Sequence, residues 1–280
     1  LNGDPLHRAV LRTPCPASKD GCLLSSPPLE SNNMSSPHLN PVPAELVTAA
    51  TNLPLAIVSL AAVVCLWQLR HAQALRTGLW IGMFGSLAVA SGLGIFAHGL
   101  ALDAMARKLI WQPINAALAL TVACFVAGAV LDRWGAGVAG RALLMLLGLS
   151  AGFFGYATFW SDSFLPFILY EATAMLFCLT VYLTLAFQHR LAGAGWMAAG
   201  VGITILAAGL QAMPAVRLRL GVTFDHNGVF HLVQLAGLLC LLTGVQSGLG
   251  QSPQTRSNAA HPELEYPVEA AIQSSGQDQV

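Results

Sequence analysis

What most constrains this chain is a succession of apolar segments, each about as long as the ~20 residues a helix needs to cross a bilayer. They run Leu46 to Leu69, Leu79 to Leu100, Pro113 to Leu131, Ala142 to Phe159, Leu165 to Phe187, Gly195 to Met213 and Gly228 to Ser247, joined by short polar loops. Such a pattern predicts an all-α, polytopic membrane protein, a bundle of about seven transmembrane helices. Charged residues make up only 9% of the chain, against roughly 25% in an ordinary soluble domain. A formal net charge of zero offers no basic face for nucleic acid.

The organisation follows from the same pattern. Residues 1–45 are rich in Pro, Ser and Asn, lack periodicity and are expected to be disordered; Met34, ahead of a short polar lead, is the expected natural start, with a genuine flexible tail as the alternative. No apolar core of a signal peptide is legible there. Residues 46–249 form the transmembrane domain, and residues 250–280 a second disordered tail. In the fourth span Gly152, Gly155 and the Trp160, Ser161, Asp162 end offer places at which the helix could kink or break. Gly and Ala abound within the spans, as where helices pack backbone to backbone. Cys65, Cys124, Cys178 and Cys240 lie singly in apolar runs and read as small hydrophobes; Cys15 and Cys22, in the tail, are the one pair that could bridge. No internal repeat suggests an inverted-repeat transporter.

Let side A be the side on which the first span begins, and side B the other. Arg70, Arg76, Arg133, Arg141, Arg190 and Arg256 fall on side B; Arg107, Lys108, Arg217 and Arg219 fall on side A. The bias places side B in the cytoplasm and the amino terminus outside. The Ala, Gly and Leu bias and the compact loops fit a bacterial inner membrane.

Uncharged and acidic polar residues show a sharper asymmetry. Asn52, Ser91, His98, Asp103, Asn115, Asp162, Glu171, Gln211 and the stretch Asp225, His226, Asn227, His231 all fall on side A if the spans alternate. Ionisable groups at membrane depth are costly without a partner and mark functional sites by default. Ser91 and His98, two helical turns apart, share a face with Gly94 between them; Asn227, His231 and Gln234, spaced four and three, share another. His226 converges on them only if Asn227 caps the helix and His226 precedes it. His98, His226 and His231 with Asp103 or Asp225 then make a site of three nitrogens and one oxygen. Zinc takes such ligands tetrahedrally and lowers the pKa of a bound water toward about 7.

Seven spans, a Ser and His in the second, an Asp near its end and paired histidines in the seventh resemble the superfamily of alkaline ceramidases and progestin and adipoQ receptors. The resemblance covers Leu46 to Ser247 and implies a seven-helix fold and a zinc-dependent hydrolase of a lipid amide or ester. By position it implies His98, His226 and His231 as zinc ligands, Ser91 as the serine beside the metal and donor to the oxyanion, and Asp103 as the proton-handling acid, with Asp225 the alternative. In the family the serine lies four residues before the histidine, where this chain has Gly94, and the histidine pair is spaced four rather than five.

Other readings stay open. His98 also reads as an interfacial residue bonded to a loop carbonyl, His231 as structurally bonded to Asn115 or Glu171, and His226 as part of a capped helix start. Asp162 and Glu171 read as interfacial or packing groups and Gln211 as a helix-end residue. Of the other functional classes, one is a haem protein using His98 and His231 as axial ligands. The second is a non-enzymatic sensor, receptor or small transporter whose polar cavity works through Glu171 and the histidines. Membrane lipids are the expected surroundings, and a lipid the expected substrate of a hydrolase.

Overall fold

The computed structural model describes residues 38–71, 73–159 and 165–250. It contains seven helices: α1 (Pro43–Gln68), α2 (Ala74–Gly99), α3 (Ala104–Trp134), α4 (Ala136–Phe159), α5 (Leu165–Phe187), α6 (Ala194–Gln211) and α7 (His226–Leu249). Each contains a window apolar and long enough to cross a membrane. The protein is therefore a multi-pass integral membrane protein, and the seven expected spans correspond one to one with the helices. A short antiparallel hairpin, β1 (Leu218–Leu220) and β2 (Val222–Phe224), joins α6 to α7 and turns at Gly221, whose φ of 77° suits glycine.

Six helices form a ring. Going round it, α1 packs on α2, α2 on α3, α3 on α5, α5 on α6, α6 on α7, and α7 back on α1. The fourth helix stands outside, packed along α3 and barely touching α5. It is continuous through Gly152 and Gly155, the positions at which it could have kinked, and a Cβ at either would meet open space. The break falls earlier, at Gly135, whose φ of 86° separates α3 from α4. Asp162 and its neighbours lie outside the described residues.

Glycines let α6 and α7 pack closely. A Cβ on Gly200 of α6 would come within 2.7 Å of Leu241 and 2.9 Å of the Gly237 carbonyl on α7. On α7, a Cβ on Gly244 would reach Met197 at 2.7 Å. Glycines on both helices thus let the two backbones meet, the packing mode expected of membrane helices.

On side B a buried ion pair ties α2 to α3. Arg76 Nε lies 2.9 Å from Asp132 Oδ1, with side-chain exposures of 3% and 0%. Arg76 Nη2 donates to Asp132 Oδ2 at 3.2 Å, and the Tyr182 hydroxyl of α5 donates to the same oxygen at 3.2 Å. Arg76 is thus a neutralised internal group rather than a loop arginine, which narrows the arginine bias toward side B.

On side A the stretch before α1 is ordered from residue 38, although residues 1–45 read as disordered. Asn40 N donates to Gly99 O at 2.9 Å, Asn40 Nδ2 to His98 O at 3.0 Å, and Ala101 N to His38 O at 2.9 Å. The His98 and Gly99 carbonyls at the end of α2 lack helical partners and take the two Asn40 donors instead. Residues 1–37 and 251–280, which include Cys15, Cys22, Met34 and Arg256, lie outside the described residues.

Candidate functional site

The side A half of the ring encloses a cavity of about 360 Å³, lined from α1, α2, α3, α5, α6 and α7. Its floor is apolar: Leu55, Met83, Phe125, Leu238 and Leu241. Its upper wall is polar, with Asn52, Ser91, Glu171, Thr204, His231 and Gln234. Counting from the side A ends of their helices, these six sit within roughly 14 Å at ~1.5 Å rise per residue, in one layer.

Hydrogen bonds fix how two of these groups point. Thr51 Oγ1 donates to the Thr48 carbonyl at 2.9 Å and lies 2.9 Å from His231 Nδ1. Its one proton is used on the carbonyl, so it accepts from His231, which must carry its proton on Nδ1. The neutral ring therefore has its free acceptor at Nε2, and the ring lines the cavity. Thr204 repeats the device on α6. Its hydroxyl donates to Gly200 O at 3.0 Å and accepts from Gln234 Nε2 at 3.2 Å. Gln234 Oε1 is left buried with no partner among the described residues.

Asn52 is oriented in the same way, its Nδ2 donating to Thr48 O at 3.1 Å. Its Oδ1 lies where a Cβ on Gly94 would come within 2.9 Å. Gly94 thus makes room for Asn52 of α1. Higher in the wall, Gln211 Nε2 donates to Asn227 Oδ1 at 3.2 Å. Glu171 forms no hydrogen bond or ion pair with any of the described residues, and its side chain lines the cavity.

A family model described as "Family of unknown function (DUF6962)" matches residues 47–249, which takes in all seven helices except the first few residues of α1. The chain belongs to the DUF6962 family. No curated protein and no solved structure matches it.

In this DUF6962 protein the expected site residues separate into two groups. Ser91, His98 and His231 line the one cavity. Asp103 and Asp225 are helix caps: Asp103 accepts from Ala106 N at 2.8 Å, and Asp225 from Gly228 N at 2.9 Å and from the Thr48 hydroxyl at 3.1 Å. Capping by Asp is the ordinary way to satisfy the first N–H groups of a helix. His226 is the first residue of α7, half-buried and outside the cavity wall, because Asp225 rather than Asn227 is the cap.

These residues do not fit a zinc ion. Among the described residues no three His, Cys, Asp or Glu side chains are grouped so as to hold a metal. His98 Nδ1 is 2.7 Å from Glu45 Oε2, and the ring meets Trp111 edge-on at 5.7 Å between centroids. A haem is also a poor fit, since the lining supplies Glu171 and no Lys or Arg to meet the carboxylates of its side chains.

Several residues that shape the site were not singled out in the sequence: Glu45, Thr51, Thr204 and Trp111. Glu45 looked like part of the polar lead before the first span, although Pro43 starts the helix and brings Glu45 into its first turn. Thr51 and Thr204 resemble any threonine of an apolar helix, and only the fold pairs them with His231 and Gln234.

Proposed function

We propose that the protein is a non-enzymatic seven-helix sensor or carrier that binds a small amphipathic molecule in the side A cavity. One observation carries the reading: a layer of oriented polar groups, with acceptors left unused at Gln234 and Glu171, above an apolar floor. A cavity of about 360 Å³ falls in the size class of small-molecule sites, which are mostly apolar with a few placed polar groups. An unpaired buried acceptor costs about 1–3 kcal/mol, a cost that a Leu at Gln234 would avoid and that a bound donor removes.

Hydrolysis is less well supported. Ser91 makes no hydrogen bond to His98 or His231, whose Nδ1 atoms are held by Glu45 and Thr51. With Nδ1 of His98 and His231 engaged and His226 outside the cavity wall, the three-histidine set that the hydrolytic reading needs is not gathered.

The test is titration of the protein in phosphatidylcholine nanodiscs with 1-aminoanthracene, a small fluorescent probe uncharged at neutral pH. Saturable binding of about one probe per chain is expected, weakened at least tenfold by Leu118→Trp, which fills the cavity from α3. Non-saturating uptake, equal in both proteins, would overturn the reading.

A further inference from the structure

The chemistry of the wall narrows what enters. Among the described residues, the cavity lining contains one carboxyl group, Glu171, and no Lys or Arg. Every other cation-capable group at the wall is a histidine. His98 is paired with Glu45, so that pair contributes no net positive charge. His231 carries its proton on Nδ1 toward Thr51, which leaves Nε2 an acceptor in the neutral ring. Gln234, oriented by Thr204, also offers an oxygen. The layer is thus rich in acceptors and carries an unpaired acid.

Aromatic faces complete the pattern. Trp111, Phe125 and Phe230 line the same cavity. Ring faces attract an organic cation, most strongly where water is excluded. An anionic ligand would meet Glu171 without a counter-charge. A purely apolar ligand would leave Gln234 Oε1 and Glu171 buried and unpaired.

We infer that the cavity selects an organic monocation, an amine with an apolar body, whose ammonium is held between Glu171, Gln234 and His231 while the body reaches the Phe125 and Leu238 floor. This rests on the cavity binding a small molecule at all, as proposed above. An amine from the water phase and a single-chain amine from the leaflet share this chemistry.

The experiment is competition against 1-aminoanthracene in the same nanodiscs at neutral pH, with three probes of one shape: 4-phenylbutylammonium, 4-phenylbutanol and 4-phenylbutyrate. The ammonium is expected to compete at least tenfold more strongly than the alcohol, and the butyrate least. Glu171→Gln should abolish the ammonium's advantage, each competition being referred to that variant's own 1-aminoanthracene affinity, with circular dichroism and the unfolding temperature showing that the variant is folded. Glu171→Asp should keep part of the advantage. Dodecylammonium then reports the source: a stronger competitor than 4-phenylbutylammonium places the ligand in the leaflet, a weaker one in water, and either supports the inference. Equal or stronger competition by the alcohol or butyrate, with 1-aminoanthracene still bound, would overturn the charge selection and leave the cavity reading standing. An ammonium advantage unchanged in Glu171→Gln would overturn it too. Failure of 1-aminoanthracene itself to bind saturably would overturn both.

Discussion

Thr51 on α1 and His231 on α7 are joined by a 2.9 Å hydrogen bond whose direction is set by a third group, the Thr48 carbonyl that takes the threonine's proton. The consequence is a histidine with a fixed tautomer on a helix that neighbours α1 in the ring. Replacing Thr51 by Val removes the acceptor for Nδ1–H. A neutral hydrogen bond contributes about 1 kcal/mol. Affinity for 1-aminoanthracene should fall about fivefold, and Thr51→Ser should restore it. Nitrogen NMR of labelled His231 would show the Nδ1–H form in the wild type and a mixture of tautomers in Thr51→Val.

Gln234 should trade stability against binding. Its Oε1 is buried without a partner, so Gln234→Met, of similar length, removes an unsatisfied acceptor. The variant should unfold in detergent at a higher temperature than the wild type and bind the amine probe several-fold more weakly. Thermal unfolding followed by circular dichroism, alongside the competition titration, reads both effects. Loss of both stability and binding would mean that Gln234 is a packing residue.

On side B the Arg76 and Asp132 pair should be unforgiving. Breaking a buried pair leaves an uncompensated charge and typically costs about 3–5 kcal/mol. Asp132→Ala strands Arg76, and Tyr182 loses its acceptor as well. Sharply reduced yield and a lower unfolding temperature are expected from Asp132→Ala, with the double variant Arg76→Met, Asp132→Leu milder than the single one. A single variant as stable as the wild type would show that the pair does not hold α2 to α3.

Gly200 should tolerate nothing larger than itself. A Cβ there already meets the Gly237 carbonyl at 2.9 Å, and backbone cannot move aside as a flexible side chain does. Gly200→Val should part α6 from α7, shift Thr204 and Gln234 with them, and lower both the unfolding temperature and probe affinity. Gly202, with open space around it, should accept Val at little cost and serves as the control.

Much of this architecture is legible in the sequence because a bilayer leaves helices few choices. Apolar length alone places all seven spans, and their alternation places Asn52, Ser91, His98, Glu171 and His231 at one end. Helical spacing also puts Asn227, His231 and Gln234 on the face of α7 that lines the cavity. Boundaries fared less well where polar residues continue a helix: α3 starts at Ala104, before the expected Pro113, since Asp103 caps it and Pro113 sits within it. Partners were not legible. His98 with Glu45 and His231 with Thr51 join residues 53 and 180 positions apart, and nothing local distinguishes such bonds from ligation. The roles of Asp103 and Asp225 were not legible for a similar reason, because a carboxylate suited to a metal or a proton is equally suited to a helix cap.

The most direct test of a ligand cavity inside the ring is to find where a small probe lands. Photolabelling of the nanodisc-embedded protein with 1-azidoanthracene, followed by peptide mass spectrometry, should place adducts on α2, α3 and α7 near Ser91, Trp111 and Phe230, suppressed by excess 1-aminoanthracene. Adducts confined to the outward-facing Leu144 and Met145 of α4, and unaffected by the competitor, would contradict the account.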